Sequence, residues 1–590
     1  MADRDDLVIR IAGEAGEGVL STGQLITLAA ARAGYGVLTD SVPPAEIKGG
    51  HSLFQIRIAP RQVTSRGDSF DILLAFNREG YDRNIRELRD GGMLLYDSGD
   101  FEPPENPGTY QQHALPLTDI AKKELQFELG KNVVAVGAIS ALFGLDPEYI
   151  RRLLHQRFAR KGEEILEKNY QALAAGIGYV ERNIPERGTL QVKAGTLGET
   201  SRIVVSGNQA IAMGALAAGC RVYAGYPITP ATDIMEFLAS ELPKVGGSVV
   251  QAEDEMSALG MVIGASYAGK KSMTATSGPG VSLMVELMGL SSMAEIPIVV
   301  VDAQRAGPST GMPTRQEQGD LFLATVGGHG EIQRIVLAPV SVSDCFTQAI
   351  NAFNLSEQFQ LPVLLMGDTT LGVRTESIPT PDLSKHEIVN RLGINGHGES
   401  GSNGVGPGIE SGYKRYQLTD SGISPMAIPG DEGGQYVATG LEHNESGRPR
   451  SDADNHRQMT EKRFSKLELA RKAAPDAHYY GDQDADVGIL CWGSAWGTVV
   501  EAVDAAAAKG LRVAAMAPRQ VWPLPDHQLL PFIESKRVVL VPEMNYSGQF
   551  AQLMRARYLR DLVSITDYSG GVFTVARLVQ EIEGVHQHAR

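Results

Sequence analysis

The chain has 590 residues and a formal net charge of −16. This length predicts about three or four domains, and 43% hydrophobic with 21% charged residues is typical of a soluble globular protein. The acidic excess disfavours nucleic acid and anionic membranes as partners, because both attract basic surfaces. The acidic N-terminal stretch and the lack of any run of about 18 to 20 apolar residues predict a cytoplasmic protein without a membrane span.

Cysteine is rare in this chain. Cys220, Cys345 and Cys491 are widely separated, and no C-x-x-C pair occurs. Closely spaced thiolate ligands for zinc or an iron–sulfur cluster are therefore missing, and we predict no metal site in this chain. If the protein takes part in electron transfer, another chain must hold the metal.

The first segment predicts a strand, a glycine-rich turn with Gly13, Gly16 and Gly18, a helix and a second strand. The spacing G-x-x-G-x-G differs from the dinucleotide pattern G-x-G-x-x-G, so close helix–strand packing and nucleotide binding both stay open. Further along, the loop "SVPPAEIKGGHS" presents Lys48 and His51 among prolines and glycines. We predict an α/β domain over residues 1–190.

A second α/β domain is predicted over residues 198–382, because near-continuous apolar strands alternate with helices, as in a parallel sheet covered on both faces. The motifs "YPITP", "QAEDE", "TSGPG" and "DAQRAGPSTG" follow four consecutive strands. Ligands of open α/β sheets bind at the carboxyl ends of the strands. These four motifs therefore predict a ligand crevice.

Each motif also has a purely structural interpretation. Thr229 lies between two prolines, so its hydroxyl either serves a substrate or caps the following helix. Glu255 begins a helix, where it either complements the helix dipole or exchanges protons with a ligand. Gly278 and Gly280 either admit a ligand to a helix N-terminus or simply start that helix.

The next loop carries Arg305 and Thr314 between prolines. Arg305 either captures a carboxylate or is a solvated surface residue. Residues 383–484 are predicted as a linker and irregular segment, because "GINGHGESGSNGVGPGIESG" cannot form a core. The charged stretch "RQMTEKRFSKLELARKA" within it predicts a solvated helix, and a third α/β domain is predicted over residues 485–590.

Eight motifs in chain order resemble the 2-oxoacid:ferredoxin oxidoreductase family, specifically an alpha subunit with the gamma domain fused at its N-terminus. They are "GEAGEGV", "AEIKGGHS", "YPITPATD", "AEDEMSALGMVIGASYAG", "TSGPGVSLMVE", "DAQRAGPSTGMPTRQEQGDL", "DSGISPMAIPG" and "VPEMNYSGQ". Ala231 departs from the serine that often follows "YPITP" in the family. The resemblance implies a gamma-type domain, a domain like the pyrimidine-binding domain of thiamine enzymes, and a transketolase C-terminal-like domain.

The resemblance also implies the chemistry. Such enzymes oxidatively decarboxylate a 2-oxoacid with coenzyme A, reversibly in principle, and reduce ferredoxin. They use thiamine diphosphate shared with a beta subunit that holds Mg²⁺ and a [4Fe–4S] cluster, and two αβ pairs form a heterotetramer. By the same resemblance, Glu255 bonds the cofactor's aminopyrimidine ring, Gly278 and Gly280 approach the cofactor, Thr229 and Arg305 contact the substrate, and Thr314 assists them.

We expect 2-oxoglutarate as the substrate and succinyl-CoA, a tricarboxylic-acid-cycle intermediate, as the product. A dicarboxylate needs a second cation, because an unpaired buried carboxylate is costly. Lys48 and His51 are the candidates for binding the substrate's distal carboxylate. Pyruvate or a broad range of 2-oxoacids is the alternative. A cluster-free thiamine lyase or transferase would need a diphosphate-binding G-D-G…N pattern, which we do not find, and a nucleotide-binding regulatory module would rest on "GEAGEGV" alone.

Overall fold

The computed structural model describes residues 5–42, 50–105, 108–185, 190–199, 201–394 and 412–587. The chain divides into two compact units. The first comprises Met1–Ser206 with Val373–Thr380, and the second comprises Gly207–Gly372 with Pro381–Arg590. The predicted linker (Gly393 to Gly412) falls almost entirely outside the described residues.

The strands of the described residues are, in chain order, β1 Leu7–Glu14, β2 Gly36–Val42, β3 His51–Ala59, β4 Phe70–Ala75, β5 Leu88–Tyr96, β6 Gln111–Ala114, β7 Arg202–Ser206, β8 Val222–Gly225, β9 Ser248–Gln251, β10 Ser272–Thr276, β11 Ile298–Gln304, β12 Ile335–Leu337, β13 Pro362–Asp368, β14 Thr375–Pro379, β15 His478–Gly481, β16 Val487–Leu490, β17 Ala514–Ala517, β18 Gln520–Trp522, β19 Val538–Glu543 and β20 Val563–Thr566.

The helices of the same residues are α1 Val19–Arg32, α2 Arg78–Asn84, α3 Leu117–Asp119, α4 Lys131–Phe143, α5 Pro147–Phe158, α6 Glu163–Asn183, α7 Gly207–Ala217, α8 Thr232–Glu241, α9 Glu255–Tyr267, α10 Gly278–Met293, α11 Leu321–Val326, α12 Val342–Phe359, α13 Thr369–Val373, α14 Ala453–Lys472, α15 Ala495–Ala508, α16 Asp526–Glu534, α17 Gln549–Tyr558 and α18 Val575–Gln587. No helix in these segments is long and apolar enough to cross a membrane.

The first unit is built on one mixed sheet with the strand order β6-β5-β4-β1-β3-β2-β14-β7. Strands β1, β4, β5 and β6 are parallel, whereas β3 pairs antiparallel with both β1 and β2. The predicted strands at Gly36, "DILLAFN" and "GGMLLYD" are present as β2, β4 and β5. Strands β7 and β14 join this sheet, although the sequence-based boundary at residue 198 assigns both to the middle domain.

The second unit contains the predicted parallel sheet, with the strand order β18-β12-β13-β11-β10-β8-β9. Every neighbouring pair is parallel except β12–β18. Strand β18 comes from the third predicted domain and closes one edge of the middle sheet. The carboxyl ends of β8, β9, β10 and β11 consequently meet at one edge, which is where the four motifs lie.

The third sheet, β15-β17-β16-β19-β20, lies in the same unit and is parallel except for β15. One hydrophobic cluster runs from the middle sheet into this third one and includes Met284, Val300, Trp492 and Phe550. The prediction of a multidomain α/β protein with a parallel middle sheet is therefore confirmed.

The predicted charged helix is present as α14, but the interpretation that it is solvated is wrong for one of its faces. Lys462 and Lys466 are buried, and their ammonium groups lie 2.7 Å and 2.8 Å from Oε2 of Glu295. Two lysines one turn apart share a face of a helix. The charge pattern looked like solvated surface because the single buried glutamate that pairs with both lysines lies far away in the sequence.

Candidate functional site

Four strand ends bring the predicted motifs together in the second unit. Strands β9, β8, β10 and β11 are consecutive neighbours in the parallel sheet. Their carboxyl ends carry the loops with Glu255, Thr229, Gly278 and Arg305. Ligands of open α/β sheets bind at this edge, and the predicted site residues of the middle domain share it.

Thr229 is exposed and does not cap the helix that follows it. Helix α8 has Ala231 at its N-cap position, with no side-chain hydrogen bond. The backbone carbonyl of Thr229 instead accepts a hydrogen bond from Nη1 of Arg305 at 2.8 Å, and the next carbonyl, of Pro230, accepts one from Nδ2 of Asn208 at 2.7 Å. The backbone of the loop is held on both sides, and the hydroxyl of Thr229 is left available to a ligand.

Glu255 is the first residue of α9 and is buried, with 7% of its surface exposed. Asp254, the residue before Glu255, stabilises the N-terminus of α9. Its side chain caps the helix and accepts a hydrogen bond from the Ser257 N–H at 2.6 Å. A Cβ atom on Gly280 would lie 2.9 Å from Oε1 of Glu255 and would collide with Oγ1 of Thr276. Glycine is therefore required for the Glu255 carboxylate to approach the first turn of α10.

A side chain at Gly278 would likewise collide with a carboxylate, in this case that of Asp320. A Cβ atom at this position would lie 2.5 Å from Oδ2 of Asp320. The two glycines thus allow two acidic side chains, Glu255 and Asp320, to pack against the start of α10. A direct contact of Gly278 and Gly280 with a cofactor stays a prediction.

Arg305 follows β11 and is 8% exposed, so the interpretation as a solvated surface residue is wrong. Burial lowers the pKa of its guanidinium group, and the nearby charge of Asp320 partly offsets that effect. The loop after it is closed by backbone bonds from Ala306 to Arg315 at 3.0 Å and from Met312 to Ala306 at 2.9 Å. Thr314 lies half-buried within this closed loop.

The third sheet fixes the far end of the same loop through Gln318. The backbone N–H of Gln318 donates to the carbonyl of Met544 at 2.6 Å. Its side chain accepts from the Met544 N–H at 3.1 Å and donates to the carbonyl of Trp492 at 3.0 Å. The amide of Asn545 adds a bond to the Gln318 carbonyl at 2.9 Å. The motif "VPEMNYSGQ" thereby anchors the loop that begins at Arg305.

We predict that Gln318→Leu lowers kcat/KM for the 2-oxoacid that the sequence resemblance implies as substrate, mainly through a higher KM. The substitution leaves the buried Met544 N–H and Trp492 carbonyl unpaired, at a cost of about 1–3 kcal/mol, and it loosens the loop that holds Arg305. Steady-state kinetics of the assembled enzyme measure the effect. Gln552→Leu, at an exposed glutamine, is the matched control. Equal KM values for both variants would contradict this role.

In the first unit, His51 begins β3 and is in register with Glu14 at the end of β1. Its Nε2 lies 3.4 Å from Nδ2 of Asn84. The carbonyl of Gly50 accepts from the Ala15 N–H at 3.1 Å, so the loop carrying the histidine returns beside the glycine-rich turn. Lys48 lies outside the described residues.

The glycine-rich turn is filled by a side chain of its own. Oε2 of Glu17 accepts from the Glu14 N–H and from Nδ2 of Asn77, both at 2.7 Å. A Cβ atom on Gly13 would lie 2.7 Å from that oxygen and 2.9 Å from Cβ of Phe76. Close packing therefore explains Gly13, and a carboxylate in the turn disfavours the phosphate of a dinucleotide.

Sequence reasoning missed three residues of the crevice: Asp302, Gln318 and Asp320. Asp302 is completely buried, and neither of its carboxylate oxygens has a hydrogen-bond partner among the described residues. The available signal was an aspartate inside the apolar strand "PIVVVDA". Burying a carboxyl group without a partner costs free energy, so such a residue often has a functional role. Gln318 and Asp320 had no comparable signal, since their partners lie far away in the sequence or depend on the loop's geometry.

Comparison with known proteins agrees with this architecture. Residues 8–179 match the pyruvate ferredoxin/flavodoxin oxidoreductase family. Residues 213–462 match the thiamine-diphosphate-binding domain of pyruvate flavodoxin/ferredoxin oxidoreductases, and residues 485–579 match core domain II of pyruvate:ferredoxin oxidoreductase.

The proteins that are similar over nearly the whole chain include two relatives and one solved structure. The 2-oxoglutarate oxidoreductase subunit KorA of Mycobacterium tuberculosis is 34% identical, over 96% of this chain and 90% of that protein. Subunit alpha of 2-oxoacid:ferredoxin oxidoreductase 2 from Aeropyrum pernix is 31% identical, over 93% of each. The structure of 2-oxoglutarate:ferredoxin oxidoreductase from Magnetococcus marinus, with 2-oxoglutarate, coenzyme A and succinyl-CoA bound, is 40% identical, with a TM-score of 0.93 over 99% of this chain and 100% of that one.

The chain belongs to the 2-oxoacid:ferredoxin oxidoreductase family. Within the family it is an alpha subunit that carries the gamma-like domain at its N-terminus, and hence part of an oxidoreductase.

Proposed function

We propose that this chain, with a beta subunit, oxidatively decarboxylates 2-oxoglutarate with coenzyme A to give succinyl-CoA and CO₂, and that two electrons pass to ferredoxin. The single observation that supports 2-oxoglutarate as the substrate is the similarity, over 99% of the chain, to an enzyme solved with 2-oxoglutarate, coenzyme A and succinyl-CoA bound. The reaction is reversible in principle. A cytoplasmic location stays a prediction.

The crevice fits thiamine diphosphate, which supplies an electron sink when bound. The Glu255 carboxylate is buried at the start of the apolar helix α9, and Asp254, not Glu255, caps that helix. Such a carboxyl group would hydrogen-bond a ring nitrogen of the cofactor's aminopyrimidine and orient the ring. We assign to Arg305 the carboxylate next to the substrate's oxo group, and to Thr229, with Thr314, the positioning of the reacting carbonyl.

The surface beside Glu255 supports a beta subunit as partner. Helices α9 and α10 expose Met256, Met261 and Leu283 by 44–50%, and Gly260 on the same helix pair has open space where a side chain would be. Exposed apolar side chains of this kind mark protein–protein contacts. We propose that the beta subunit covers this surface and encloses the cofactor, and that two αβ pairs assemble into a heterotetramer.

We assign Mg²⁺ and the [4Fe–4S] cluster to that beta subunit. The three cysteines of this chain are buried in separate places, and burial raises the pKa of the Cys220 thiol to about 12. Thiols held in the protonated form are poor metal ligands. Electrons then leave for ferredoxin through the partner.

Product analysis tests the proposal. The chain is co-expressed with its beta subunit and incubated anaerobically with 2-oxoglutarate, coenzyme A and an oxidised viologen dye. We expect dye reduction that requires coenzyme A, with one succinyl-CoA formed for every two electrons. Dye reduction without succinyl-CoA, or a cofactor-loaded complex inactive with 2-oxoglutarate, would contradict the proposal.

We predict that Lys48→Ile selectively damages the use of 2-oxoglutarate. Removing the cation leaves the distal carboxylate unpaired, so kcat/KM for 2-oxoglutarate should fall by about 10²-fold or more, while the value for a monocarboxylate 2-oxoacid stays nearly constant. Initial rates with both substrates measure the difference. Equal losses with both substrates would show that Lys48 does not recognise the distal carboxylate, and His51→Gln tests the other candidate in the same assay.

A further inference from the structure

Two aspartates, Asp302 and Asp320, lie at the carboxyl end of β11, and Asp320 faces Arg305. Asp302 is within the strand, in register with Thr276 of β10 and Met366 of β13, and is completely buried. Asp320 is held against the end of the same strand, because its N–H donates to Oε1 of Gln304 at 3.2 Å. Its carboxylate lies against Gly278 at the start of α10.

Hydrogen bonding leaves both carboxyl groups poorly satisfied. Within the described residues, Oδ1 and Oδ2 of Asp302 and Oδ2 of Asp320 are buried without a partner, and so is Nε of Arg305. An unpartnered buried carboxylate costs several kcal/mol, so such groups take up a proton instead of staying ionised. Two ionised aspartates in this space would be still less favourable.

The charges that face the pair are few and can be named. Asp302 faces Asp320. Asp320 faces Asp302, Glu317 and Arg305. The Glu317 carboxylate is fixed nearby, since its Oε2 accepts from the Gly307 N–H at 2.8 Å. Asp320 therefore receives opposite charge from Arg305 and like charge from Glu317, whereas burial and the like charge of Asp320 act on Asp302.

Burial and these neighbours determine when the pair ionises. Burial, together with the charge of Asp320, raises the pKa of Asp302 well above its ordinary value. Burial and the charge of Glu317 raise the pKa of Asp320 to about 6, although Arg305 opposes the rise. Near neutral pH, one proton thus stays on the pair while a second one is lost as the pH rises through about 6.

We propose that Asp302 and Asp320 are positioning residues that share a proton and control how much of the Arg305 charge is available to the substrate carboxylate. When Asp320 is ionised it competes with the substrate for the guanidinium group. Binding of the substrate anion therefore draws one proton from solvent onto the pair, and no bond to the substrate is made or broken there. The idea rests on the proposed role of Arg305 in substrate binding.

The pH dependence of KM tests this coupling. In the assembled αβ enzyme, KM for 2-oxoglutarate should rise between pH 6 and 8, by up to about tenfold per pH unit if a full proton is taken up. Asp320→Asn cannot ionise and should flatten this rise, with a lower KM than the wild type at pH 8. The exposed control Asp420→Asn should keep the wild-type slope. A wild-type KM independent of pH, or an unchanged slope in Asp320→Asn, would overturn the proposal.

Infrared difference spectroscopy tests the shared proton independently of which substrate the enzyme oxidises. At pH 7 the assembled αβ enzyme should show the carbonyl stretching band of a protonated carboxyl group. This band should disappear in the Asp302→Asn variant. A band that persists in that variant would refute the shared proton. If the band behaves as expected but no 2-oxoacid is oxidised, the result supports the shared proton and contradicts the proposed function.

Discussion

Glu255→Gln should lower kcat of the assembled enzyme by about 10²–10⁴-fold, the range typical of losing a proton-transferring group. Glutamine preserves the size of the side chain and its acceptor oxygen, but it cannot take up a proton. Because Glu255 is buried at the start of α9 and caps nothing, the substitution removes chemistry and leaves the fold intact. Anaerobic rates at saturating 2-oxoglutarate and coenzyme A measure the loss.

The matched control for this experiment is Glu253→Gln. Glu253 belongs to the same acidic run but is exposed and precedes the helix. Its substitution changes the net charge identically and should leave kcat near the wild-type value. Thiamine diphosphate content is measured for both variants, so that lost cofactor is not mistaken for lost catalysis. A Glu255→Gln enzyme with full cofactor and a wild-type rate would exclude the assigned role.

Glu295→Gln should destabilise the second unit by about 3–5 kcal/mol, the cost of leaving buried charge without its partner. The carboxylate of Glu295 receives hydrogen bonds from Lys462 at 2.8 and 2.7 Å and from Lys466 at 2.8 Å. Burial alone would raise the pKa of Glu295, but the charges of Lys462, Lys466 and Arg415 lower it below its ordinary value. Glutamine would leave two buried ammonium groups without an anion.

Urea denaturation followed by fluorescence of Trp492, Trp496 and Trp522 measures this effect, since all three tryptophans belong to the second unit. The ionised carboxylate is the stabilising form, so the wild-type advantage should be complete just above the ordinary glutamate pKa of 4.5 and should shrink as the pH falls below it. It should also shrink as the pH rises through about 7, because burial lowers the pKa of Lys466 to about 7 and its ammonium group then loses its proton. Glu241→Gln, which removes an exposed ion pair with Lys244, should leave the denaturation midpoint nearly unchanged. Equal midpoints for both variants would contradict this account of the cluster.

The middle domain was predictable because its signals are local. Apolar strands followed by proline- and glycine-pinned loops predicted that Thr229, Glu255 and Arg305 follow successive strands, and the structure confirms the common edge. The sequence left open whether Thr229 caps a helix and whether Glu255 serves the helix dipole. Geometry decides both points, since Ala231 is the N-cap residue of α8 and Asp254 caps α9.

What could not be predicted depends on partners that lie far away in the sequence. Lys462 and Lys466 resemble solvated surface until Glu295, more than 160 positions earlier, is known to lie against them. Gln318 looks like an ordinary loop residue until Met544 and Trp492 are brought beside it. Strand β14 pairs with β2, and the register Glu376↔Leu38 joins segments that no local periodicity connects.

The most direct test of the central claim is the ratio of kcat/KM for 2-oxoglutarate to that for pyruvate, measured anaerobically on the αβ complex as coenzyme A-dependent viologen reduction. We predict a ratio well above about 10², because a site that pairs a distal carboxylate rejects a substrate that lacks it. A ratio near one would indicate an enzyme of broad 2-oxoacid specificity. A ratio below one would contradict the assignment of 2-oxoglutarate as the substrate.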